Sequence, residues 1–133
     1  MRHGRAELLW VPEAGAGLDL AALLAALRLR VCLRVFIEGG WQTVSSFLAA
    51  GLVDRLQIAV APFLIGDGRP AIRLPPPAQL GDCRRPARRV YRMGDDILFD
   101  FDLAAARTPQ LVADLEAVAA ADQRVESIVV RVL

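Results

Sequence analysis

The run from Ile37 to Gly68 constrains the fold of this chain more than any other segment. Cys32 to Ile37 is rich in β-branched and aromatic residues, which predicts a buried strand, and it ends at Glu38 and the pair Gly39-Gly40. A short amphipathic helix and a second apolar strand follow. Two strands joined by a helix predict a βαβ unit, and the whole chain is predicted to belong to the α/β class.

The helix after the glycine pair is predicted from a single apolar stripe. Its apolar residues recur at three- and four-residue spacing: Val44, Phe47, Leu48 and Leu52. The pattern starts near Gln42 or Thr43, and Gly51 stands where a left-handed C-cap is expected.

The glycine pair itself indicates an anion site. Gly39 and Gly40 allow positive φ and a close approach of the backbone to a ligand. The helix start adds unpaired amides and the positive end of the helix dipole, a combination that can hold a phosphate. The alternative is that the two glycines only make a tight turn, because a glycine pair alone is not specific.

The remaining segments extend the α/β pattern. A first strand is predicted at Arg5 to Val11, then a loop from Pro12 to Gly17 and a helix with Asp19 as N-cap and Arg28 and Arg30 at its C-terminus. A third strand is predicted at Arg55 to Ala61. Helices between strands predict parallel neighbouring strands joined by right-handed crossovers.

An antiparallel hairpin is predicted from Arg84 to Leu103, turning at Gly94-Asp95-Asp96. Ile97, Phe99 and Phe101 alternate toward one face. The hairpin also carries five arginines (Arg84, Arg85, Arg88, Arg89 and Arg92) and four aspartates (Asp95, Asp96, Asp100 and Asp102). Cross-strand charge pairing explains both sets, and no aromatic platform for nucleic acid accompanies the arginines.

Composition argues against several classes of function. A formal net charge of +1 gives no basic field to recruit nucleic acid or an anionic membrane. Cys32 and Cys83 form no CxxC pattern and His3 is the only histidine, so neither a metal site nor a Ser/His/Asp triad is expected. The apolar stretch Leu18 to Leu29 is too short to span a bilayer. Reduced thiols in a cytoplasmic protein are predicted.

Taken in order, five segments resemble one family. They are Glu38-Gly39-Gly40, the run Phe47 to Asp54, Val60-Ala61-Pro62, Leu64-Ile65-Gly66, and Arg92 to Phe99. The family is the C-terminal reductase domain of the bacterial bifunctional riboflavin-biosynthesis deaminase-reductase, and the resemblance covers roughly Leu8 to Leu103. It implies a dihydrofolate-reductase-like mixed sheet, with parallel βαβ units followed by a C-terminal antiparallel hairpin.

The resemblance also implies an activity. Members of this family are NADPH-dependent pyrimidine reductases that convert the ribose of 5-amino-6-(5-phosphoribosylamino)uracil to a ribityl chain. Glu38 matches the substrate-contacting glutamate, and the cofactor-phosphate stretch matches Gly39, Gly40, Trp41, Gln42, Thr43, Ser45 and Ser46. A carboxylate at Glu38 can accept hydrogen bonds from ribose hydroxyls, or it can serve only as a helix-dipole partner. A homodimer is a further expectation.

The predicted organisation is a partial reductase domain over residues 1–104 and an extension over residues 105–133. The extension is predicted to hold a helix starting at Thr108-Pro109 and a possible strand from Ile128 to Val132. Its predicted role stays open between covering an edge strand, contacting another subunit and being non-native sequence. Nothing in the chain matches the Ser-Leu-Asp-Gly-like segment that precedes the matched region in the family, so the N-terminal part of the domain is expected to be lacking. A catalytically incomplete fragment or an interaction module is therefore the competing interpretation.

Overall fold

The computed structural model describes residues 2–3, 6–15, 17–104 and 127–132 of the chain. Two helices lie in these residues, α1 (Leu20–Arg28) and α2 (Trp41–Ala49), together with a short 3-10 turn at Leu80–Asp82. The strands are β1 (Arg2–His3), β2 (Ala6–Glu7), β3 (Glu13–Ala14), β4 (Gly17–Leu18), β5 (Arg34–Ile37), β6 (Arg55–Val60), β7 (Arg88–Met93), β8 (Asp96–Asp102) and β9 (Ser127–Val132). The helix predicted from Thr108 lies outside the described residues.

The main sheet has five strands in the order β5-β9-β6-β8-β7. β9 is parallel to both β5 and β6, whereas β8 is antiparallel to β6 and to β7. The pairs β1–β2 and β3–β4 are separate two-stranded antiparallel sheets. The predicted α/β class is confirmed.

The predicted parallel βαβ arrangement is not what the structure shows. β5 and β6 were expected to be direct neighbours, but β9 lies between them and bonds to both. A helical crossover sets the direction of its two strands without requiring them to be adjacent, so the sequence pattern could not reveal the intervening strand. The first predicted strand, Arg5 to Val11, is only partly a strand. Of residues 6–11, Ala6–Glu7 form β2, which pairs with β1, and Arg5 lies outside the described residues.

The C-terminal hairpin is confirmed. β7 and β8 pair from Arg88 opposite Phe101 to Met93 opposite Asp96, leaving Gly94-Asp95 as a two-residue turn. Gly94 has a φ of 67°, the positive value that the first central position of a type II′ turn requires.

One hydrophobic core joins α2 to the sheet. Its buried residues are Ile37, Val44, Phe47, Leu52, Val53 and Leu56. Val44 and Phe47 come from the predicted stripe of α2, while Leu20, Leu23 and Leu24 of α1 pack against the same cluster. The core therefore fixes α2 beside the carboxyl end of β5.

Both helices end with the two hydrogen bonds of a Schellman motif. After α2, the Gly51 amide donates to the Leu48 carbonyl at 3.1 Å and the Leu52 amide donates to Phe47 at 3.1 Å. Gly51 has a φ of 70°, so the predicted glycine C-cap is confirmed.

The end of α1 has the same geometry without a glycine. The Val31 amide donates to the Arg28 carbonyl at 2.7 Å, and the Cys32 amide donates to Leu27 at 3.1 Å. Val31 consequently has a φ of 63°, a left-handed conformation that is strained for a β-branched residue.

Replacing Val31 with glycine should stabilise the protein. The left-handed conformation costs an L-residue about 1–2 kcal/mol, and the extra freedom of glycine in the unfolded chain offsets part of this, so we expect a gain of about 1 kcal/mol. Urea unfolding measures the change. The matched variant Gly51→Val should lose about 1–2 kcal/mol. A less stable Val31→Gly variant would show that the Val31 side chain stabilises the fold by more than its backbone strain costs.

A second feature ties β6 to β8. Asp100 is one of the hairpin aspartates predicted to pair with an arginine across the strands, and only 4% of its surface is exposed. Its carboxylate accepts two hydrogen bonds from Arg55, one from Nε at 3.2 Å and one from Nη2. The hydrogen bond to Asp100 raises the pKa of Arg55. The prediction that hairpin arginines pair with Asp100 is thus corrected, because its ion-pair partner comes from β6 and not from β7.

Removing the Arg55 guanidinium should leave a buried carboxylate without its counter-charge. We expect Arg55→Met to lower the free energy of unfolding by about 2–4 kcal/mol. Arg89→Met is the control, since Arg89 lies directly opposite Asp100 on β7 but is exposed, and its loss should change stability by less than about 0.5 kcal/mol. Equal losses from the two variants in chemical denaturation would contradict the assignment of Arg55 as the partner.

Candidate functional site

The candidate site is the turn between β5 and α2. β5 ends at Ile37, whose side chain is buried in the core, and the chain then turns through exposed Glu38, Gly39 and Gly40. Gly39 has a φ of 153°, a value that side chains rarely adopt. The core on one side and the glycine conformation on the other fix the direction in which α2 leaves the sheet.

Gly40 is the N-cap of α2, and the space where a side chain would stand at this position is open. No atom outside its chain neighbours lies within 4 Å of a Cβ built at Gly40, and the same is true at Gly39. Gly40 has a φ of −58°, which any residue can adopt. The backbone conformation therefore does not require glycine at this position. The absence of a side chain instead leaves room for another molecule to approach.

The first turn of α2 contains amides with and without backbone partners. The Thr43 and Val44 amides both donate to the Gly40 carbonyl, at 3.1 and 3.4 Å. In the part of the chain that the structure describes, the amides of Trp41 and Gln42 make no such bond. Two donors at the positive end of the helix dipole, beside an open glycine, suit an anionic oxygen.

The predicted site residues divide into two groups. Glu38, Gly39, Gly40, Gln42 and Thr43 are exposed and contiguous around the turn, with Trp41 half-buried among them. Ser45 faces inward and is buried, and its hydroxyl accepts a hydrogen bond from the Arg73 amide at 2.8 Å. Ser46 is exposed, but its hydroxyl donates to the Gln42 carbonyl at 2.9 Å. The contiguous exposed stretch of the predicted site residues therefore ends at Thr43.

Arg73 is a residue of the site that the sequence did not reveal. Its amide bond to Ser45 and the packing of Ile72 on the core hold this segment against α2. The Arg73 guanidinium lies over the Trp41 indole, 5.1 Å from the ring centroid. A stacked guanidinium keeps its N–H edges available for a phosphate. Thirty-two positions separate the two residues in the sequence, so no local motif could have linked them.

The Trp41 indole does not block the space beside Gly39. No atom lies within 4 Å of a Cβ built at Gly39, so the indole does not fill that space. The indole instead gives Arg73 an aromatic surface.

A separate groove of about 360 Å³ lies at the other end of the sheet. Its lining includes Arg55, Arg88, Arg89 and Asp100. Arg55 starts β6, whereas Glu38 follows the end of β5, and the two strands run in the same direction. The groove is therefore distinct from the β5–α2 turn, and its deepest charge, Asp100, is already paired with Arg55.

Two kinds of feature are absent from the residues that the structure describes. No group of three or more His, Cys, Asp or Glu residues is arranged to hold a metal ion there. In the same residues, no helix has both the length and the apolar character needed to cross a membrane.

Comparison with known proteins identifies the family. The family model described as "RibD C-terminal domain" matches residues 2–99. The riboflavin biosynthesis protein RibD of Escherichia coli (strain K12) is 32% identical over 91 residues. That match covers 67% of this chain and 25% of the relative, so the chain spans about a quarter of the relative's length.

The matched range contains the β5–α2 turn, α2 and most of the hairpin, which are the segments on which the resemblance was drawn. The resemblance to this family is confirmed, and the family implies a dihydrofolate-reductase-like fold. The chain belongs to the family of the RibD C-terminal domain.

Proposed function

We propose that this chain is the NADPH-binding part of a riboflavin-biosynthesis reductase. Its reaction is the reduction of the ribose of 5-amino-6-(5-phosphoribosylamino)uracil to the ribityl chain. The observation that carries the proposal is the exposed β5–α2 turn, with its unpaired helix amides, inside the segment that matches the family. When bound, NADPH supplies the hydride for the sugar carbon.

The residues at the turn fit the phosphates of a dinucleotide. The Trp41 and Gln42 amides donate from the helix end, and the Thr43 hydroxyl is exposed one residue further along. Arg73 adds a positive charge on the Trp41 face, which matters because the chain contains no lysine. Gly39 and Gly40 allow the phosphates to reach the backbone.

Glu38 is the proposed substrate contact. It is exposed at the end of β5, one residue before the glycine pair, so its carboxylate lies beside the proposed phosphate site. There it can accept hydrogen bonds from ribose hydroxyls and stabilise positive charge that develops on the sugar as the ring opens. In this proposal the protein positions the substrate and the cofactor and supplies the negative charge of Glu38, while NADPH supplies the hydride.

A second candidate is an interaction module or incomplete domain that keeps the fold without turnover. The match to the RibD relative covers only 25% of that protein's length, which favours this candidate. The two candidates differ in nucleotide binding and in turnover, which can be measured separately.

Gly40→Val tests the cofactor site. The backbone at Gly40 suits valine, and no atom beyond the chain neighbours lies within 4 Å of a Cβ at this position, so we expect the fold to tolerate the substitution while the methyl groups occupy the approach to the amides. We expect saturable NADPH binding by the unchanged protein in calorimetry, weakened at least about 10-fold by the variant. Gly81→Val, in the 3-10 turn and equally unobstructed, should bind normally. Equal affinity in all three proteins would remove the turn from the proposal.

Glu38→Gln tests the substrate contact. The amide keeps the shape of the side chain but removes its negative charge, so we expect turnover to fall roughly 100-fold while NADPH affinity stays unchanged. Steady-state oxidation of NADPH with the phosphorylated ribosylaminopyrimidine measures the first quantity and calorimetry the second. Unchanged turnover would leave Glu38 as a helix-dipole partner only, and a lack of turnover in the unsubstituted chain that still binds NADPH would favour the second candidate.

A further inference from the structure

β5 reaches the rest of the main sheet through a single neighbour. It stands at the edge of the sheet, and its strand partner in the described residues is β9, from Arg34 opposite Ser127 to Ile37 opposite Val130. β9 pairs on its other side with β6, from Arg55 opposite Val129 to Ile58 opposite Val132. The hydrogen-bonded connection between the site-bearing strand and the sheet is therefore made by β9.

β9 lies outside the range that the family model matches. The match ends at residue 99, within β8, and β9 begins at Ser127. All the other strands of the main sheet start inside the matched range. One interior strand of the main sheet, between β5 and β6, is therefore supplied by the chain beyond the matched range.

The space between β5 and β6 has the properties of a strand-binding site. Two parallel strands separated by one missing strand lie about 10 Å apart and present backbone donors and acceptors toward each other. Those groups are costly to leave unpaired, and one parallel strand satisfies both rows. The segment Ser127–Val132 reads Ser-Ile-Val-Val-Arg-Val, the β-branched composition typical of an interior parallel strand.

The tether does not force β9 into this position. β8 and β9 flank β6, so their ends lie about 10 Å apart. Residues 103–126 join them, a length of chain that could span several times that distance. The position of β9 must then come from recognition by its neighbours and not from the reach of the connection.

β9 also continues past the end of β5. Arg131 pairs with Gln57 and Val132 with Ile58, two residues beyond the pairing of Val130 with Ile37. Because the three strands are parallel, this end of β9 lies at the same end of the sheet as the Glu38–Gly40 turn. The C-terminal segment therefore supports the end of the sheet where the candidate site lies.

We propose that the space between β5 and β6 is a binding site for a parallel β-strand and that its occupant is the C-terminal segment Ser127–Val132. The segment acts as a tethered strand ligand that completes the domain by β-strand addition. Its binding holds β5, and with it the Glu38–Gly40 turn, to the sheet.

The test uses the full chain carrying a cleavage site for a specific protease within residues 105–126. After cleavage, the C-terminal peptide should stay with the rest of the protein through size-exclusion chromatography at micromolar concentration. A labelled peptide of residues 125–133 should exchange into the cleaved protein, measured by fluorescence anisotropy. The same peptide with Val129→Pro should bind about 100-fold more weakly, because proline removes a ladder donor and clashes within an interior strand. A scrambled peptide is the second control.

Hydrogen exchange on the uncleaved chain provides an independent measurement. In the Val129→Pro variant of the full chain, the amides of Val35 to Ile37 should exchange about 100-fold faster, while those of the β7–β8 hairpin stay protected. Release of the peptide on cleavage, exchange of the scrambled peptide, or loss of all structure once the tether is cut would each overturn the proposal. None of these readouts uses nucleotide, so a failure of NADPH binding leaves this test intact.

Discussion

The backbone hydrogen bonds of β9 are the interaction on which the rest of the sheet depends. They join an edge strand that carries the candidate site to a three-stranded unit of β6, β8 and β7. Side-chain packing alone would leave the amides and carbonyls of β5 facing an empty position. The core formed by Ile37, Phe47 and Leu56 then fixes α2 across the two parallel strands. Ladder and core together determine where Glu38 and the helix amides lie.

Charge is distributed so that the two ends of the sheet differ. At one end, the buried Asp100 carboxylate forms a salt bridge with Arg55, and this pair links β8 to β6. At the other end, Glu38 and Arg73 are exposed. Satisfied ion pairs stabilise structure, whereas accessible donors and carboxylates are available to a ligand. This contrast supports placing the proposed chemistry at the β5–α2 turn.

Local sequence signals predicted the local structure well. The stripe through Val44 and Phe47, the caps at Asp19 and Gly51, and the hairpin turn at Gly94 each depend on residues within one helix or turn, and each is confirmed. The contiguous part of the candidate site was predicted for the same reason, because Glu38 to Thr43 are consecutive.

What the sequence could not predict depends on distant parts of the chain. The insertion of β9 joins residues about ninety positions apart, and its composition is typical of any interior strand. The Arg73–Trp41 contact and the Arg55–Asp100 pair are likewise set by tertiary packing. The end of α1 is a local exception: glycine is the usual residue there, yet the Schellman hydrogen bonds hold Val31 in a strained conformation that no propensity would suggest.

The contact between Trp41 and Arg73 also gives the molecule an optical property. Of its two tryptophans, Trp10 is 85% exposed, whereas Trp41 is half-buried one residue after Gly40 with a guanidinium over its ring. Any molecule that draws Arg73 away from the indole changes the polarity around that ring and therefore the colour and intensity of its emission. The chain thus carries a natural fluorophore beside the β5–α2 turn, where the proposed nucleotide phosphate would bind.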